Sequence, residues 1–267
     1  MTGVCVWVEA AELLGPGLPS WDTARAVLAG HEPYVYADFT LPPPPQLSPA
    51  ERRRAIPSVR LALAVGAAAI AGSGLDPATM PAVFASSGAD GQTIGGILSA
   101  LALPSREVSP TGFHNSVHNA PSGYWSLAVR SREPVTSLSA HDGSFAAGLL
   151  EAAAQTVCGN VVVLLVAYDL PYPEPLHGVR PIAASFGVAL VLSPARSARS
   201  LVELRIATIP MSVDEATECG EPRLEWLRRG NPAARSLPLL EVLAASRGGL
   251  VRLQLARGGL GVGVTPC

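Results

Sequence analysis

The stretch Ala82–Leu103, with the sequence AVFASSGADGQTIGGILSALAL, decides the fold class of this chain. Its first residues form a short apolar run that is typical of a strand, and Ser86–Gly91 is a glycine-rich turn. Thr93–Leu103 then has the apolar spacing of a helix. A strand followed by a turn and a helix is the repeating unit of α/β proteins. The stretch therefore predicts a β-sheet layered with helices.

The same alternation of strands and helices continues on both sides of this stretch. The predicted strands are Val4–Val8, Val135–Leu138, Val161–Ala167, Ser185–Leu192, Leu201–Ile209 and Gly249–Gln254. The predicted helices are Trp21–Gly30, Ser58–Gly74, Asp142–Cys158, Glu221–Arg229 and Leu237–Ser246. The proline run Leu41–Gln46 and the polar stretch Ser109–Tyr124 are predicted as irregular loops. No long linker interrupts the pattern, so residues 1–267 are predicted to form a single domain.

The chain contains no lysine. All 19 basic residues are arginines, set against 21 acidic residues for a formal net charge of −2. Without lysine there is no Schiff-base catalysis, no Walker-type phosphate loop and no protein-kinase active site. The balanced charge also argues against a general nucleic-acid binder, which carries a basic excess on one face. An acidic partner must therefore be bound by arginines or by backbone N–H groups.

The sequence also lacks the signals of export and of membrane insertion. Its first residues, MTGVCVWVEAAEL, have no basic stretch of the kind that precedes a secretory signal. The longest apolar runs, Leu61–Gly72 and Val161–Ala167, are well short of the roughly 20 residues that span a bilayer. The four cysteines are far apart and lack the spacing of a zinc site, so we expect reduced thiols. We therefore expect a cytoplasmic protein without a transmembrane segment.

The run Ser139-Ala-His141-Asp-Gly143 contains the residue types of a hydrolytic triad. Side chains of adjacent residues diverge, however, whereas a triad needs members that converge from separate segments. No G-x-S-x-G motif is present to expose a serine on a nucleophile elbow. The run is therefore predicted to be a turn, with Asp142 as the N-cap of the following helix.

Two further polar runs have some residues of a binding site but not a complete motif. His114-Asn-Ser-Val-His118 has the i, i+4 spacing of a metal site, but Asn115 replaces the glutamate of H-E-x-x-H and flanking prolines favour a loop. These side chains are expected to be buried and hydrogen-bonded at an interface instead. Ser86–Gly96 could bring the backbone close to a phosphate, but it lacks G-x-G-x-x-G. We therefore predict no metal and no cofactor.

The order and spacing of these segments resemble the N-terminal half of a β-ketoacyl synthase of the thiolase superfamily. The segments that carry the resemblance are Ser58–Gly66 with Gly74–Asp76, Ala82–Gly88, Asn119–Ser126, Ser137–Gly148 and Ser185–Leu192. They extend over roughly residues 1–210. The resemblance implies an α/β fold of the thiolase-like type, in which a β-sheet is layered with helices.

The departures from that family concern its catalytic groups. Aligning Gly143 and Gly148 with the two helix glycines of the family places Ala140 where an active synthase has its nucleophilic cysteine. A methyl group cannot attack a thioester. The family also uses two histidines and often a lysine from a C-terminal half, but no histidine follows His177. Cys158 lies inside the helix that follows the nucleophile position and is a poor substitute. We therefore expect no catalytic residue, and no enzyme activity of the chain on its own.

This pattern is similar to a chain-length factor, a synthase-like subunit that lacks the nucleophile and pairs with a true ketosynthase. It more closely resembles the short subunits of aryl polyene or xanthomonadin-type systems, through Asn115–Asn119, Ser144–Ala152 and Asn231–Leu240. The resemblance implies a heterodimer with an active ketosynthase, an acyl carrier protein as a further partner, and a role in closing the acyl tunnel. The residues expected at the tunnel and dimer interface are Phe113, His114, Asn115, His118, Asn119, Tyr124, Trp125, Leu138 and Phe145.

Two other functions are consistent with the same residues. The chain could be a diverged acyltransferase or thioesterase that acts on acyl thioesters through Ser139 or His141. It could also be a structural partner that stabilises the ketosynthase without touching the acyl chain. Substitution of Phe113 or Tyr124 by alanine would then leave product length unchanged. In a lysine-free chain, Arg52–Arg54 are the first candidates for docking an acidic carrier protein.

Overall fold

The structure is a computed structural model, and it describes residues 3–267. One mixed sheet runs through these residues, with the strand order β3-β2-β4-β5-β1-β6-β8-β7. The strands are β1 (Val4–Leu14), β2 (Ala82–Ala85), β3 (Val135–Leu138), β4 (Val163–Asp169), β5 (Phe186–Ser193), β6 (Val202–Ile209), β7 (Gly249–Gln254) and β8 (Gly259–Pro266). The strand β2 is parallel to both of its neighbours, and the other neighbouring pairs are antiparallel.

Helices cover both faces of the sheet. The helices are α1 (Trp21–Leu28), α2 (Pro49–Arg54), α3 (Pro57–Ser73), α4 (Gly91–Ala102), α5 (Pro110–Asn115), α6 (Ala120–Val129), α7 (Ser144–Gly159), α8 (Leu176–Val179), α9 (Pro222–Gly230) and α10 (Leu237–Ala244). Residues with known capping preferences lie at several helix ends. Ser20 and Ser48 cap the N-termini of α1 and α2, and Gly74 ends α3 in the left-handed conformation at φ 65°. The predicted α/β fold, a sheet layered with helices, is confirmed.

The core consists of two layers, one on each face of the sheet. Every residue of β4 and β5 is buried, as expected for central strands covered on both faces. Successive side chains of a strand point to opposite faces, so Val83 packs in the layer under α7 while Phe84 packs in the layer under α3. This arrangement fixes the ends of β2, β3 and β4 at one side of the molecule, where the candidate site lies.

Two predictions about individual segments are wrong. The stretch Ser109–Tyr124, predicted as a loop, contains α5 and the first half of α6. Its prolines, Pro110 and Pro121, occupy the first turns of those helices, where the missing N–H carries no cost. The strand β8 was not predicted because its sequence, GLGVGVTP, is rich in glycine, which disfavours strands. It is stabilised by pairing with β6 on one side and β7 on the other.

The two edge strands of the sheet, β3 and β7, each pair with a single strand within residues 3–267. The strand β3 forms one edge and has β2 as its single partner within the described chain, and β7 forms the other edge.

Across residues 3–267, no helix is long and apolar enough to cross a membrane.

Candidate functional site

Ala140 lies in a tight turn between the edge strand β3 and the start of α7. Its N–H donates to Ser144 Oγ at 3.0 Å, and that hydroxyl donates to the carbonyl oxygen of His141 at 2.7 Å. The turn brings His141 into the left-handed region at φ 52°. The backbone thus makes a sharp strand-to-helix turn at the position that the alignment assigned to a nucleophile. The side chain that the turn presents is a methyl group.

Ser139 and His141 are not arranged as a nucleophile and its base. The Ser139 hydroxyl donates to the carbonyl oxygen of Ser87 at 3.0 Å. The His141 side chain is 70% exposed, and its Nδ1 lies 3.5 Å from Asp142 Oδ1. Between Ser139 and His141 no hydrogen bond is present in the part of the chain that the structure describes. An activated serine needs a base within hydrogen-bond reach of its hydroxyl, and this geometry does not supply one.

Asp142 has a different role from the predicted helix cap. Gly143 is the N-cap of α7, and no side chain caps that helix. The Asp142 carboxylate instead accepts hydrogen bonds from Arg180 at 2.6 Å and from Arg235 at 3.0 Å. Burial alone would raise the pKa of Asp142, but the hydrogen bond from Arg180 and the charge of Arg235 outweigh it and lower the pKa. Asp142 is therefore an ionised group that ties the start of α7 to two distant segments.

The 86–88 turn, which follows β2, contacts both Ser139, next to Ala140, and the end of β4. Asp169, at the end of β4, accepts on Oδ1 from the Ser87 N–H at 2.9 Å and from the Ser87 hydroxyl at 2.6 Å. The Ser86 hydroxyl lies 3.3 Å from the same oxygen and donates to the carbonyl oxygen of Gly88 at 2.8 Å. The side chain of His118 approaches the same turn, with Nε2 3.3 Å from the carbonyl oxygen of Ser86. Burial raises the pKa of Asp169 to about 7 although these donors lower it. The turn is therefore held from two sides, by Asp169 and by His118.

Sequence reasoning missed Asp169. A signal for it was present, because an aspartate directly follows an apolar run read as a buried strand, and the carboxyl end of such a strand is where polar site residues collect. Tyr172, a few residues further on, was also missed. It packs on the glycine-rich turn so closely that a Cβ on Gly88 or Gly91 would lie 2.3 Å or 2.0 Å from its side chain. These two glycines leave space for Tyr172.

An apolar cavity of about 320 Å³ lies beside Tyr172 and opens between α4 and α8. Its lining residues are Ala89, Gly91, Ile94, Tyr172, Leu176, Val179 and Arg180. Val179, at the edge of the cavity, is 87% exposed. Arg180, which lines this cavity, also donates to the Asp142 carboxylate. Asp142 lies two residues after Ala140, so this ion pair connects the cavity to the turn at Ala140. The volume is at the low end of the range for small-molecule sites.

The residues predicted at the tunnel and dimer interface divide by burial. Phe113, His114 and Asn119 are exposed, and His118 and Leu138 are half-buried. Asn115, Tyr124, Trp125 and Phe145 are buried in this chain's own interior. These four side chains pack within this chain, and their role at the tunnel or the dimer interface stays a prediction.

The buried residues of this set hold α5 and α6 in place. Asn115 donates from Nδ2 to the carbonyl oxygen of Arg54 at 2.9 Å and accepts from the Tyr124 hydroxyl at 3.2 Å. Trp125 packs against Phe84, with 6.2 Å between ring centroids. His114 stacks edge-on against Tyr124 rather than facing His118. The two histidines therefore contact different parts of the chain.

An apolar surface that the sequence did not reveal covers α4, α5, α6 and their connections. We call it the α4–α6 surface, and its exposed apolar side chains are Leu98, Leu101, Leu103, Phe113, Val117 and Leu127. Phe113 is 69% exposed. In α4 only Gly91 is buried, although the helix is strongly apolar. Exposed apolar side chains grouped on neighbouring helices are typical of an interaction surface.

A sequence model of the β-ketoacyl synthase N-terminal domain matches residues 28–237. The chain belongs to this family. Solved structures with the same fold include the "Ketosynthase (ApeO) in Complex with its Chain Length Factor (ApeC) from Xenorhabdus doucetiae", at 19% identity, a TM-score of 0.70, and coverage of 97% of this chain and 98% of that one. The ishigamide ketosynthase/chain length factor matches at 14% identity and a TM-score of 0.70, with 98% and 99% of the two chains covered. No curated protein sequence matches the chain significantly.

This β-ketoacyl synthase N-terminal domain protein spans different fractions of its structural relatives. It covers nearly the whole length of the two matched chains above. In contrast, it spans 47% of a ketosynthase from module 1 of the bacillaene synthase of Bacillus amyloliquefaciens FZB42, at 15% identity and a TM-score of 0.58, with 79% of this chain aligned. At these identities the likeness establishes the fold. The expectation of a β-ketoacyl synthase-like, thiolase-type fold is confirmed.

The three arginines singled out from the sequence are not equally free. Arg52 donates to the carbonyl oxygens of Pro45 and Leu47, each at 3.0 Å, and so orders the proline-rich loop. Arg54 lies 3.5 Å from Glu51 in a largely exposed ion pair. Arg53 is exposed and has no ion-pair partner among residues 3–267. Of the three, Arg53 is the one whose charge is available to a partner.

Proposed function

We propose that this chain is a non-catalytic, chain-length-factor-like subunit that pairs with an active β-ketoacyl–acyl carrier protein synthase and shapes its acyl tunnel. We further propose that residues 1–267 act as one domain in this role, since all eight strands described belong to one sheet. The pathway class is polyene or fatty-acid-type biosynthesis. The ApeO–ApeC and ishigamide structures, whose names include a chain length factor, support this proposal by their fold and by their length.

The observation that carries the proposal is Ala140. It lies in a strand-to-helix turn of the synthase fold, at the position where the alignment places the family's nucleophilic cysteine. The fold is present while the thiol that would attack a thioester is not. The neighbouring Ser139 hydroxyl is engaged with a backbone carbonyl, and His141 points away to solvent. A subunit with this turn can support a reaction carried out by a partner.

Pairing is supported by the surface around β3. The outer side of this edge strand has no strand partner within residues 3–267, so its backbone N–H and C=O groups are available for pairing. α6 packs beside it through a 2.8 Å hydrogen bond between Ser137 and Ser122. The α4–α6 surface therefore continues from the free edge. Stable heterodimers bury an apolar centre surrounded by a polar rim. The α4–α6 surface would supply the apolar centre, and the backbone groups of the β3 edge would supply polar contacts beside it.

Tunnel shaping is supported by two features on this same side. Phe113, on α5, projects a large apolar side chain from the α4–α6 surface. The 320 Å³ cavity, whose lining includes Ile94 of α4, provides an apolar recess behind that surface. A growing acyl chain that reaches a packed wall cannot lengthen further without displacing side chains, and overpacking costs about 1–3 kcal/mol. Phe113 is the residue of the predicted set that remains available for this wall.

An acyl carrier protein is proposed as the further partner. Another solved structure with the same fold is "AntDE:AntF (apo): type II PKS acyl-carrier protein in complex with its ketosynthase bound to the hexaketide", at 12% identity and a TM-score of 0.74, with 100% of both chains covered. In this lysine-free chain, an acidic carrier would need an arginine with an available charge. Arg53 is the one of Arg52–Arg54 that meets this condition.

Co-expression with a ketosynthase tests the pairing. We expect the two chains to elute as one peak in size-exclusion chromatography at micromolar concentration. Phe113→Asp should raise the concentration below which the two chains elute separately by about tenfold or more, because it places a charge in the apolar surface. Val213→Asp is the matched control, because Val213 is 62% exposed and lies outside the α4–α6 surface.

Two results would contradict the pairing proposal. One is separate elution of the two wild-type chains at micromolar concentration. The other is equal loss of co-elution for the Phe113 and Val213 variants, since this would place the contact elsewhere. Circular dichroism of each variant alone establishes that it is folded before elution is compared.

A further inference from the structure

Two buried carboxylates line one small cavity behind the 86–88 turn. Asp169, at the end of β4, is 3% exposed, and Asp90, the N-cap of α4, is 8% exposed. The cavity has a volume of about 10 Å³, the lower limit for a single water molecule, so bulk water does not reach the two side chains. Among the residues that the structure describes, its lining contains no arginine or histidine. Two ionised carboxylates would therefore share this cavity without a positive partner.

The two carboxylates differ in their hydrogen bonds. Asp90 has a donor on each oxygen: Oδ1 accepts from the Thr93 N–H and hydroxyl, each at 2.9 Å, and Oδ2 accepts from the Ser58 N–H at 3.3 Å. Asp169 accepts from Ser87 on Oδ1, but its Oδ2 has no partner among residues 3–267. A buried oxygen without a donor is costly when it is charged, whereas a protonated oxygen is itself a donor. Of the four carboxylate oxygens, Oδ2 of Asp169 is thus the one suited to hold a proton.

None of the groups around Asp169 supplies a direct positive charge. The titratable and charged groups that face it are Asp90, His118, Tyr168, Tyr172 and Arg180. The Arg180 guanidinium is bound to Asp142 at 2.6 Å and acts on Asp169 through space, and the His118 ring approaches the carbonyl oxygen of Ser86. Burial raises the pKa of both tyrosines, which stay neutral near pH 7. Burial also raises the pKa of Asp169 to about 7, against the Ser87 donors and the charge of Arg180.

We propose that Asp169 is a proton-operated switch between β4 and the start of α4, closed when Oδ2 carries a proton. The step is the exchange of one proton between Oδ2 and the solvent. In the protonated state Oδ2 is a donor, and the buried hydroxyl oxygen of Ser58, which has no partner within residues 3–267, is an available acceptor in the same lining. In the ionised state the cavity contains two carboxylate charges, which repel each other.

The start of α4 is the part that yields to this repulsion. The N–H and hydroxyl of Ser87 donate to Asp169, and these bonds become stronger when the carboxyl is ionised, so the 86–88 turn stays on β4. Asp90 is repelled, and it is the residue that caps α4 through the Thr93 N–H. Ionisation therefore moves the first turn of α4 away from β4. The switch lies within this chain and does not rest on the proposed pairing.

The direction of the pH dependence follows from the two states. The unfolded chain releases the Asp169 proton near pH 3.9, and the folded chain releases it near pH 7. The stabilising contribution of the proton is therefore full below about pH 3.9 and is lost as the pH rises through about 7. The closed state is the low-pH state.

NMR of the purified full chain, labelled with carbon-13 at the aspartate side-chain carboxyls, measures this proton. We expect one aspartate to titrate with a midpoint of about 7, and this signal should be absent in Asp169→Asn. Asp90→Asn should lower the midpoint by about one pH unit or more, a tenfold change in proton affinity, because a neighbouring negative charge is removed. Asparagine is also a good N-cap, so α4 keeps its cap in this variant.

Asp76→Asn is the matched control for the Asp90 variant. Asp76 also caps a helical turn, through the Ala78 N–H at 3.0 Å, but it is exposed and follows the C-terminus of α3, whereas Ser58 lies at the start of that helix. Its variant should keep the midpoint of about 7. The proposal is overturned if no aspartate of the wild-type chain titrates above about pH 6, or if the neutral titration persists in Asp169→Asn. If Asp169→Asn does not fold, an unchanged midpoint in Asp90→Asn overturns it.

Hydrogen exchange of the Thr93 and Ile94 N–H groups tests the movement of α4, since Asp90 accepts from both. The comparison uses protection factors, which remove the intrinsic pH dependence of exchange. In the wild-type chain these factors should fall about tenfold between about pH 6 and about pH 8, and in Asp169→Asn they should stay constant. Equal protection of the wild-type chain at both pH values would show that the proton does not hold α4 against β4, and would overturn the switch.

Discussion

At the scale of the residue, the structure assigns roles that residue type alone does not. Ser139, His141 and Asp142 are neighbours in sequence, yet each contacts a different part of the molecule: a backbone carbonyl, solvent and two arginines. Sequence reasoning rejected a triad on sound physical grounds, because adjacent side chains diverge. It could not find the arginines that bind Asp142, since Arg180 and Arg235 are distant in the chain and carry no local signal.

The close packing of Tyr172 on the glycine-rich turn gives a prediction for α4. Gly91→Ala should lower the free energy of unfolding by about 1–3 kcal/mol, because its Cβ would lie 2.0 Å from the Tyr172 ring. Gly96→Ala, in the same helix, meets nothing within 4 Å and should be neutral or stabilising by up to about 1 kcal/mol. Urea unfolding of both variants measures the difference. Equal effects on the two variants would mean that Tyr172 does not pack on the turn.

The buried carboxyl of Glu241 gives a prediction for pH. Burial raises the pKa of Glu241 to about 7, although the Gly220 N–H lowers it. The folded state then holds a proton that the unfolded chain, with a pKa of about 4.3, releases. This contribution to stability is full below about pH 4.3 and is lost as the pH rises to about 7. In Glu241→Gln the free energy of unfolding should fall less over this interval, as urea unfolding at pH 5, 6 and 7 will measure. Parallel curves for wild type and variant would contradict the prediction.

At the scale of the element, the sequence predicted well where one periodicity dominates. The buried strands β4 and β5 and the helices α3 and α7 were placed correctly, because continuous apolar runs and helical apolar spacing are local signals. α5 and α6 were missed because prolines were taken as loop signals, whereas both prolines lie at helix starts. The strand β8 was missed because its pairing with β6 and β7 overrides a poor local propensity.

The same comparison explains how the candidate site departs from its prediction. The resemblance predicts an interface segment, and the burial of its residues cannot be read from residue type. Tyr124 and Trp125 are large and apolar like Phe113, and they lie inside the chain because α6 turns them toward Phe84 and Asn115. Phe113 projects outward from α5. Only the tertiary structure separates the residues of this segment that pack inside the chain from those that it leaves exposed.

At the scale of the whole molecule, the chain combines the fold of the β-ketoacyl synthase N-terminal domain with a strand-to-helix turn that carries Ala140. Helices cover both faces of the eight-stranded sheet, while the edge strands β3 and β7 each have one strand partner and the α4–α6 surface is exposed within residues 3–267. The strand β3 leads directly into the turn that carries Ala140.

Product length is the most direct test of the central proposal, that this subunit limits the acyl chain made by its partner. The assembled pair, supplied with malonyl-loaded carrier protein, is analysed by mass spectrometry of the released acyl chains. Phe113→Ala should shift the products toward longer chains, while Val213→Ala should reproduce the wild-type distribution. If the Phe113→Ala variant still forms the pair and its products keep the wild-type length, the subunit does not form the wall of the tunnel at this residue and the proposal is contradicted.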